Sequence, residues 1–148
     1  MTTLPFTTLT EMVARQDASA TAMLSPGGEP LSYGALQALM ARTLATLNAW
    51  GIGRGDRVAI ALPNCPEMAC AFVAVAGACT AAPLNMAYRA DEFAFYLGDL
   101  QARALVVARG SDSPAIAVAQ QLGIAVIELE ALPAQGAGSF VLHAPATL

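Results

Sequence analysis

Few side chains in this sequence are of the types that do covalent or acid–base work, and their spacing limits what each can do. His143 is the only imidazole; it sits in the apolar stretch FVLHAP, with no partner assigned that would complete a nucleophile–base arrangement. Cys65, Cys70 and Cys79 are odd in number and lack C-x-x-C spacing, so separate reduced thiols are expected and a metal site is not. Cys65 stands where a helix should begin, a position that can lower a thiol pKa, although a small residue in a first turn needs no such role. Asp91-Glu92 reads as charge matched to a helix dipole and Glu128/Glu130 as alternation off a strand end, both solvated. The sequence has no lysine; all seven cations are arginines. That removes a phosphate-loop lysine, a Schiff-base lysine and a lysine general base from these residues, and no position is assigned a catalytic role.

Binding chemistry rests on two arginines. Arg89 occupies the N-cap of an expected helix, where Ser, Thr, Asn or Asp is favoured and a cation opposes the dipole. Arg109 directly follows an expected buried strand. Both fall at the carboxyl edge of a parallel sheet, where an anionic ligand could be held; ordinary surface arginines are the alternative. The glycines of GIGRGD, Gly51, Gly53 and Gly55, have only the composition of a phosphate loop. Such a loop follows a strand and opens a helix, whereas these close a helix and precede a strand. The tripeptide Arg54-Gly55-Asp56 lies in the same turn and is read as turn chemistry rather than an adhesion signal.

The elements that must position these residues follow from periodicity and punctuation. A first helix is expected around Thr8 to Arg15, then a hairpin of Thr21–Leu24 and Glu29–Leu31 across Ser25-Pro26-Gly27-Gly28. Ser32 is a good N-cap for a long amphipathic helix carrying Leu36, Leu39, Met40, Leu44, Leu47 and Trp50. Arg57 to Leu62 reads as a fully buried strand and Pro63 ends it. Asn64-Cys65-Pro66-Glu67 has the form of a capping box, with Asn64 as cap, for a helix running to about Gly77. A second buried strand, Cys79–Ala82, stops at Pro83, and after Asn85 comes a helix with Phe93, Tyr96, Leu97 and Leu100 on one face. Ala104–Val107 is a third strand, Ser113-Pro114 starts a helix that Gly123 stops, and Ile124–Ile127 is a fourth strand. Residues 132–138 read as loop and Phe140–Leu142 as a short strand. Alternation of this kind predicts an α/β fold: a mainly parallel sheet of right-handed βαβ units with helices on both faces.

Composition narrows the class further. The 148 residues make one domain, long enough to bury about 70% of the unfolded surface. Charged residues are 12% and hydrophobic ones 56%. The net charge of −4 without a basic cluster argues against nucleic acid. The uncharged run Met68–Tyr88 is broken by Pro83 and Asn85, so it falls short of the roughly 20 residues of a membrane span. The start, MTTLPFTTLTEMVARQ, lacks the basic and apolar regions of a secretory signal. Cytoplasmic residence is expected.

The order of motifs resembles a known family. LSYGALQ, GIGRGDRVAIALPNCPEMACAFVAV and AAPLNMAYRADEFAFYLGDLQARALVV are similar to the N-terminal part of the adenylate-forming enzymes, the AMP-dependent acyl-CoA synthetases and ligases. Ser32-Tyr33, Gly51, Gly55-Asp56-Arg57-Val58, Leu62-Pro63-Asn64, Glu67, Pro83-Leu84-Asn85 and Asp99 to Val106 match in order and spacing. No single motif is specific; the ordered set over residues 31–107 is. PLNMAYRADEFAFYL is most similar to the branch that activates oxalate and related small acids. Departures are Arg89, where the family commonly has Thr, and a glycine at Gly77 one place early.

The resemblance implies that residues 1–148 are part of the large N-terminal domain, with the mobile C-terminal domain and its catalytic lysine absent. The family's Ser/Thr/Gly-rich ATP loop would lie beyond Leu148. For a complete relative it implies attack of a small carboxylic acid on the α-phosphate of ATP-Mg2+, then displacement of AMP by the thiol of CoA. These residues alone are expected to be catalytically inactive and to bind none of ATP, Mg2+ or CoA as a working cofactor. The resemblance also places Asn85, Arg89 and Arg109 towards the CoA entrance. A stand-alone, non-catalytic α/β binding module is the alternative. Either way, a part of a larger domain is expected to self-associate or to depend on the remainder.

Overall fold

The computed structural model describes residues 7–146. Its elements run α1 (Leu9–Ala14), β1 (Thr21–Met23), β2 (Leu31–Ser32), α2 (Tyr33–Ala49), β3 (Arg57–Ala61), α3 (Pro66–Ala76), β4 (Thr80–Pro83), α4 (Ala90–Asp99), β5 (Ala104–Ala108), α5 (Pro114–Gln121), β6 (Ala125–Ala131) and β7 (Phe140–His143). β1 and β2 form a small antiparallel ribbon. The other five strands form one sheet in the order β4-β3-β5-β6-β7, parallel except for β7, which runs back along β6.

The sheet has two apolar faces because its central strands alternate between two cores. Val58, Ile60, Ala104, Val106, Ala125 and Ile127 pack under α2 and α3 with Leu39, Leu47, Ala74 and Val75. Ala59, Ala61, Leu105 and Val107 pack against Phe93 and Leu97 of α4 and Ala115 and Ala119 of α5. Of the periodic residues expected to share one side of α2, Leu36, Leu39, Met40 and Leu47 are buried, whereas Leu44 is 39% exposed. α2 ends in a Schellman motif: the Ile52 N–H bonds the Leu47 carbonyl at 2.9 Å and the Gly51 N–H that of Asn48 at 3.0 Å. Gly51 has φ +75°, which a side chain would strain. Asp56 then accepts the Gly53 N–H at 2.8 Å, so the aspartate of the Arg-Gly-Asp tripeptide holds its own turn.

Arg57 closes the base of the sheet. Its Nε donates to the Leu100 carbonyl at 2.9 Å, one terminal nitrogen to Gln101 at 3.0 Å and the other to Gly55 at 2.8 Å. A cation on the last carbonyls of α4 suits the negative end of that helix. It also ties the β3 start to the α4 end, 43 and 44 residues away.

Several expectations shift. The second strand is not buried: β4 lies at the edge of the sheet with one partner, its end residues Thr80 and Pro83 exposed and Ala81 and Ala82 half-buried. Pro83 is its last residue rather than the residue after it, and an edge tolerates the missing N–H. The N-cap of α3 is Cys65, not Asn64, and it makes no side-chain cap bond, because Pro66 takes the first helical position. β6 is longer than Ile124–Ile127, since the returning β7 pairs with its second half through Glu128↔His143 and Ala131↔Phe140. The 132–138 loop contains a short 3₁₀ turn, Pro133–Gln135.

That loop is seated on α3 at a point with no spare volume. A Cβ on Gly138 would lie 2.4 Å from Cys70 Sγ and 2.7 Å from the Pro66 carbonyl oxygen, and its φ is +81°. Gly138→Ala should cost about 2–4 kcal/mol of stability, from overpacking and left-handed strain together. Urea unfolding measures this, and a loss within experimental error would show that the loop does not bear on α3.

Candidate functional site

A doubly wound sheet opens a crevice where successive connections leave in opposite directions. Here β3 connects to β4 on one side, and the chain then crosses to β5 on the other, so the switch lies between the carboxyl ends of β3 and β5. A cavity of about 490 Å³ occupies that place, lined by Leu62, Pro63, Cys65, Glu67, Arg109 and Glu130, among others. Topology alone would predict it there, and the turn residues explain its shape. Pro63 cannot extend β3, and Pro66 starts α3 two residues past Asn64.

Three polar side chains converge at its mouth. Arg109 follows β5 next to the register position of Glu130, since Ala108 pairs with Leu129. Glu130 shares a sheet face with Glu128, and Glu128 pairs with His143. The result is a linked triad: an Arg109 terminal nitrogen is in ion-pair contact with Glu130 Oε2, and His143 Nε2 stands 2.6 Å from the same oxygen. Arg109 and His143 approach to 3.3 Å. The side chains of Arg109, Glu130 and His143 are 54%, 39% and 38% exposed, so the triad is wetted rather than sealed. The hydrogen bond from His143, then that from Arg109, hold the Glu130 carboxyl below its ordinary range. With Nε2 protonated, neutral His143 donates to Glu130 and leaves Nδ1 free.

The remaining candidates do not gather here. Asn85 follows β4 and its Oδ1 accepts the Ala87 N–H at 2.9 Å, so it shapes a turn. Arg89 is the N-cap of α4; its backbone N–H donates to Glu92 Oε2 at 2.9 Å, and its guanidinium lies 3.3 Å from Asp91. The two acids answer the cation that a helix start disfavours. Cys65 does line the crevice, but partial burial raises its thiol pKa instead of activating it. The pairing of His143 with Glu130 was missed from the sequence. Its only signal was the run Glu128-Leu129-Glu130 facing FVLH, which becomes informative once the two are taken as antiparallel partners.

What the crevice can do is limited. At its α3 edge Pro66 supplies no N–H, and Glu67 already sits in the first turn with its negative charge. One guanidinium therefore faces two carboxylates, a setting for one anionic group in competition with Glu130, not for a polyphosphate. Among the described residues, no group of three His, Cys, Asp or Glu is placed to hold a metal ion, and no helix is long and apolar enough to cross a membrane.

The sheet, its winding and its crevice define the α/β class in which ligands lie at the strand ends. Within that class, residues 10–144 match the model of the AMP-binding enzyme family, and the chain belongs to that family. It is 37% identical over 128 residues to an oxalate–CoA ligase of Arabidopsis thaliana, covering 85% of this chain and 25% of the relative. It is 35% identical over 99 residues to the long-chain-fatty-acid–CoA ligase FadD13 of Mycobacterium tuberculosis, covering 62% and 20%. Among solved structures, apo MatB from Rhodopseudomonas palustris superposes with a TM-score of 0.72 at 25% identity, over 88% of this chain and 26% of that one. A benzoate CoA ligase from Burkholderia xenovorans shares the fold, with the same TM-score at 16% identity. The chain thus spans about a quarter of the length of these relatives.

The triad makes a prediction about stability. A carboxyl with a lowered folded pKa contributes stability that is complete above its unfolded value, near 4.5, and is lost as pH falls through the folded value. The gap between the native chain and Glu130→Gln in urea unfolding should therefore close as pH is lowered from about 6 to about 3. A gap that does not change with pH would mean that Glu130 is not ion-paired in solution.

Proposed function

We propose that this chain supplies the N-terminal scaffold of an ATP-dependent carboxylic acid–CoA ligase and that its switch-point crevice meets a phosphate of CoA through Arg109. The observation that carries this is the position of Arg109: a guanidinium at the mouth of a 490 Å³ crevice, at the carboxyl end of the central strands. The family match and the CoA ligases among the relatives give the chemistry. In that reaction a carboxylate attacks the α-phosphate of ATP, pyrophosphate leaves, and the thiol of CoA then displaces AMP from the acyl-adenylate. Mg2+ and cationic groups neutralise the charge that builds on the phosphates.

These 148 residues hold little of what the first step needs. They contain no lysine, and their glycine cluster sits at the C-terminal end of α2, the wrong pole for a phosphate. We therefore assign them no adenylation activity of their own. The acid is left open by relatives named for oxalate and for long-chain fatty acids. Arg89 and Asn85 are assigned a lesser part at the CoA entrance, since Arg89 is already matched by Asp91 and Glu92 and Asn85 by its turn. Three free, partly or wholly buried cysteines suit a reducing, cytoplasmic setting.

A second trough, of about 610 Å³, lies beside α5 and is lined by Val107, Ile116, Ile124, Val126 and Pro145, with Glu128 at its rim. Phe95 is 64% exposed on α4. Apolar surface of this kind favours association of the isolated chain.

On this reading the chain has a CoA affinity of its own, where none is expected from the sequence, and calorimetric titration of CoA onto it tests the reading. Arg109→Ala should weaken binding about three- to tenfold, the range of one exposed charge-assisted contact, and Arg89→Ala by less. If both variants bind CoA like the native chain, the assignment falls. Sedimentation at high concentration should show oligomers; a monomer that melts cooperatively under those conditions would contradict the proposed association.

A further inference from the structure

We propose that His143 is a positioning residue for Arg109, acting through Glu130: a proton on the imidazole gives Glu130 a second cation and frees the guanidinium to take a phosphate. The inference rests on the CoA reading of the crevice and adds the device that regulates it.

Geometry carries it. Glu130 Oε2 is contacted at once by Arg109 and by His143 Nε2, the latter at 2.6 Å, while Arg109 and His143 stand 3.3 Å apart. With neutral His143 the triad sums to zero charge, and Arg109 is the only cation that Glu130 has. Histidine gains its proton between pH 8 and 5, the one side chain whose ordinary titration falls there. Once charged, it keeps its bond to Glu130, and two cations then share one carboxylate oxygen at a mutual distance that disfavours both staying. His143 is fixed by β7, whose ladder to β6 runs from Phe140 to His143. Arg109 is the member outside the ladder, more than half exposed on the loop after β5. It is the one that moves, and the triad becomes a site with one unit of positive charge.

The other charged groups around this point are few. Glu128 is the register partner of His143 across the ladder and faces it from β6. Glu67, at the start of α3, lines the crevice as a second acidic side chain; Cys65, also in the lining, has its thiol pushed up by burial and stays neutral. Glu130, with its carboxyl held below the ordinary range, stays an anion throughout. Of the groups gathered here, the imidazole is the one whose residue type ordinarily changes charge between pH 8 and 5.

The test uses the native chain, in which His143 gives the only imidazole signals. In heteronuclear spectra recorded from pH 8 to 5, the Arg109 side-chain Nε–Hε resonance, assigned by its loss in Arg109→Lys, should move in step with those of His143. Glu130→Gln should abolish that coupling while His143 still titrates. An Arg109 signal that ignores His143 overturns the proposal. CoA is the ligand probe; because its phosphate monoester also takes up a proton near pH 6, each affinity is compared with that of His143→Gln at the same pH. The ratio of native to variant affinity should rise about two- to fivefold from pH 8 to pH 6, the scale of one exposed charge. Coupled resonances with a flat ratio overturn the proposal alone. Coupled resonances with no CoA binding at either pH overturn the CoA reading, and the phosphate step with it.

Discussion

Strand β3 has water on neither side. Val58, Ala59, Ile60 and Ala61 are all fully buried, and β3 is hydrogen-bonded to a parallel neighbour at each edge. A parallel strand in that position requires helical cover on both faces, since each crossover must lay a helix on the sheet. The two cores, the winding in opposite directions from β3 and the crevice between β3 and β5 are consequences of that requirement. The small residues Ala59 and Ala61 face α4 and α5, and the larger Val58 and Ile60 face α2 and α3, which sets how closely each helix layer approaches.

The edges of the sheet are where charge is admitted. Charged side chains are scarce, and two arginines beyond the strand ends are held in local pairs: Arg89 by Asp91 and Glu92 at the start of α4, Arg109 by Glu130 at the candidate site. The first pair corrects an unfavourable cap within one turn of helix. The second joins the end of β5 to β6 and is met by His143 of the antiparallel β7, so the triad is whole only when the sheet is complete on that side. That difference separates an arginine that serves its own helix from one that stands over a crevice.

The fold was legible where local chemistry and tertiary setting agree. Ser32 accepts the Ala35 N–H and Ser113 that of Ala115, as their types suggest for N-caps, and Val58–Ala61 entered the sheet as a buried run, one residue short of the expected end at Leu62. Where the setting overrides local preference, the reading slipped. TAAP looks as apolar as a central strand, but edge position is a property of strand order, which no window of residues contains. Asn64 is a better cap by type than Cys65, yet Pro66 moves the helix start by one. The site was half legible: Arg109 is placed by the strand before it, whereas Glu130 and His143 meet through an antiparallel register 13 residues apart. Of the resemblance, the family was borne out, while the roles given to Asn85, Arg89 and Arg109 rest on chemistry still to be measured.

The contacts of Arg57 bear on how the chain comes together in time. Gly55-Asp56-Arg57-Val58 and the end of α4 look like separate signatures in the sequence, but they are two halves of one clasp. On a ribosome β3 emerges long before Leu100 and Gln101, so its arginine has no distant carbonyls to hold and its α4-side face has no cover. α2, already made, can shield only the other face. During synthesis of the next forty or so residues a strand that ends up buried on both faces is therefore half-dressed, and the clasp closes once its α4 cover has been made.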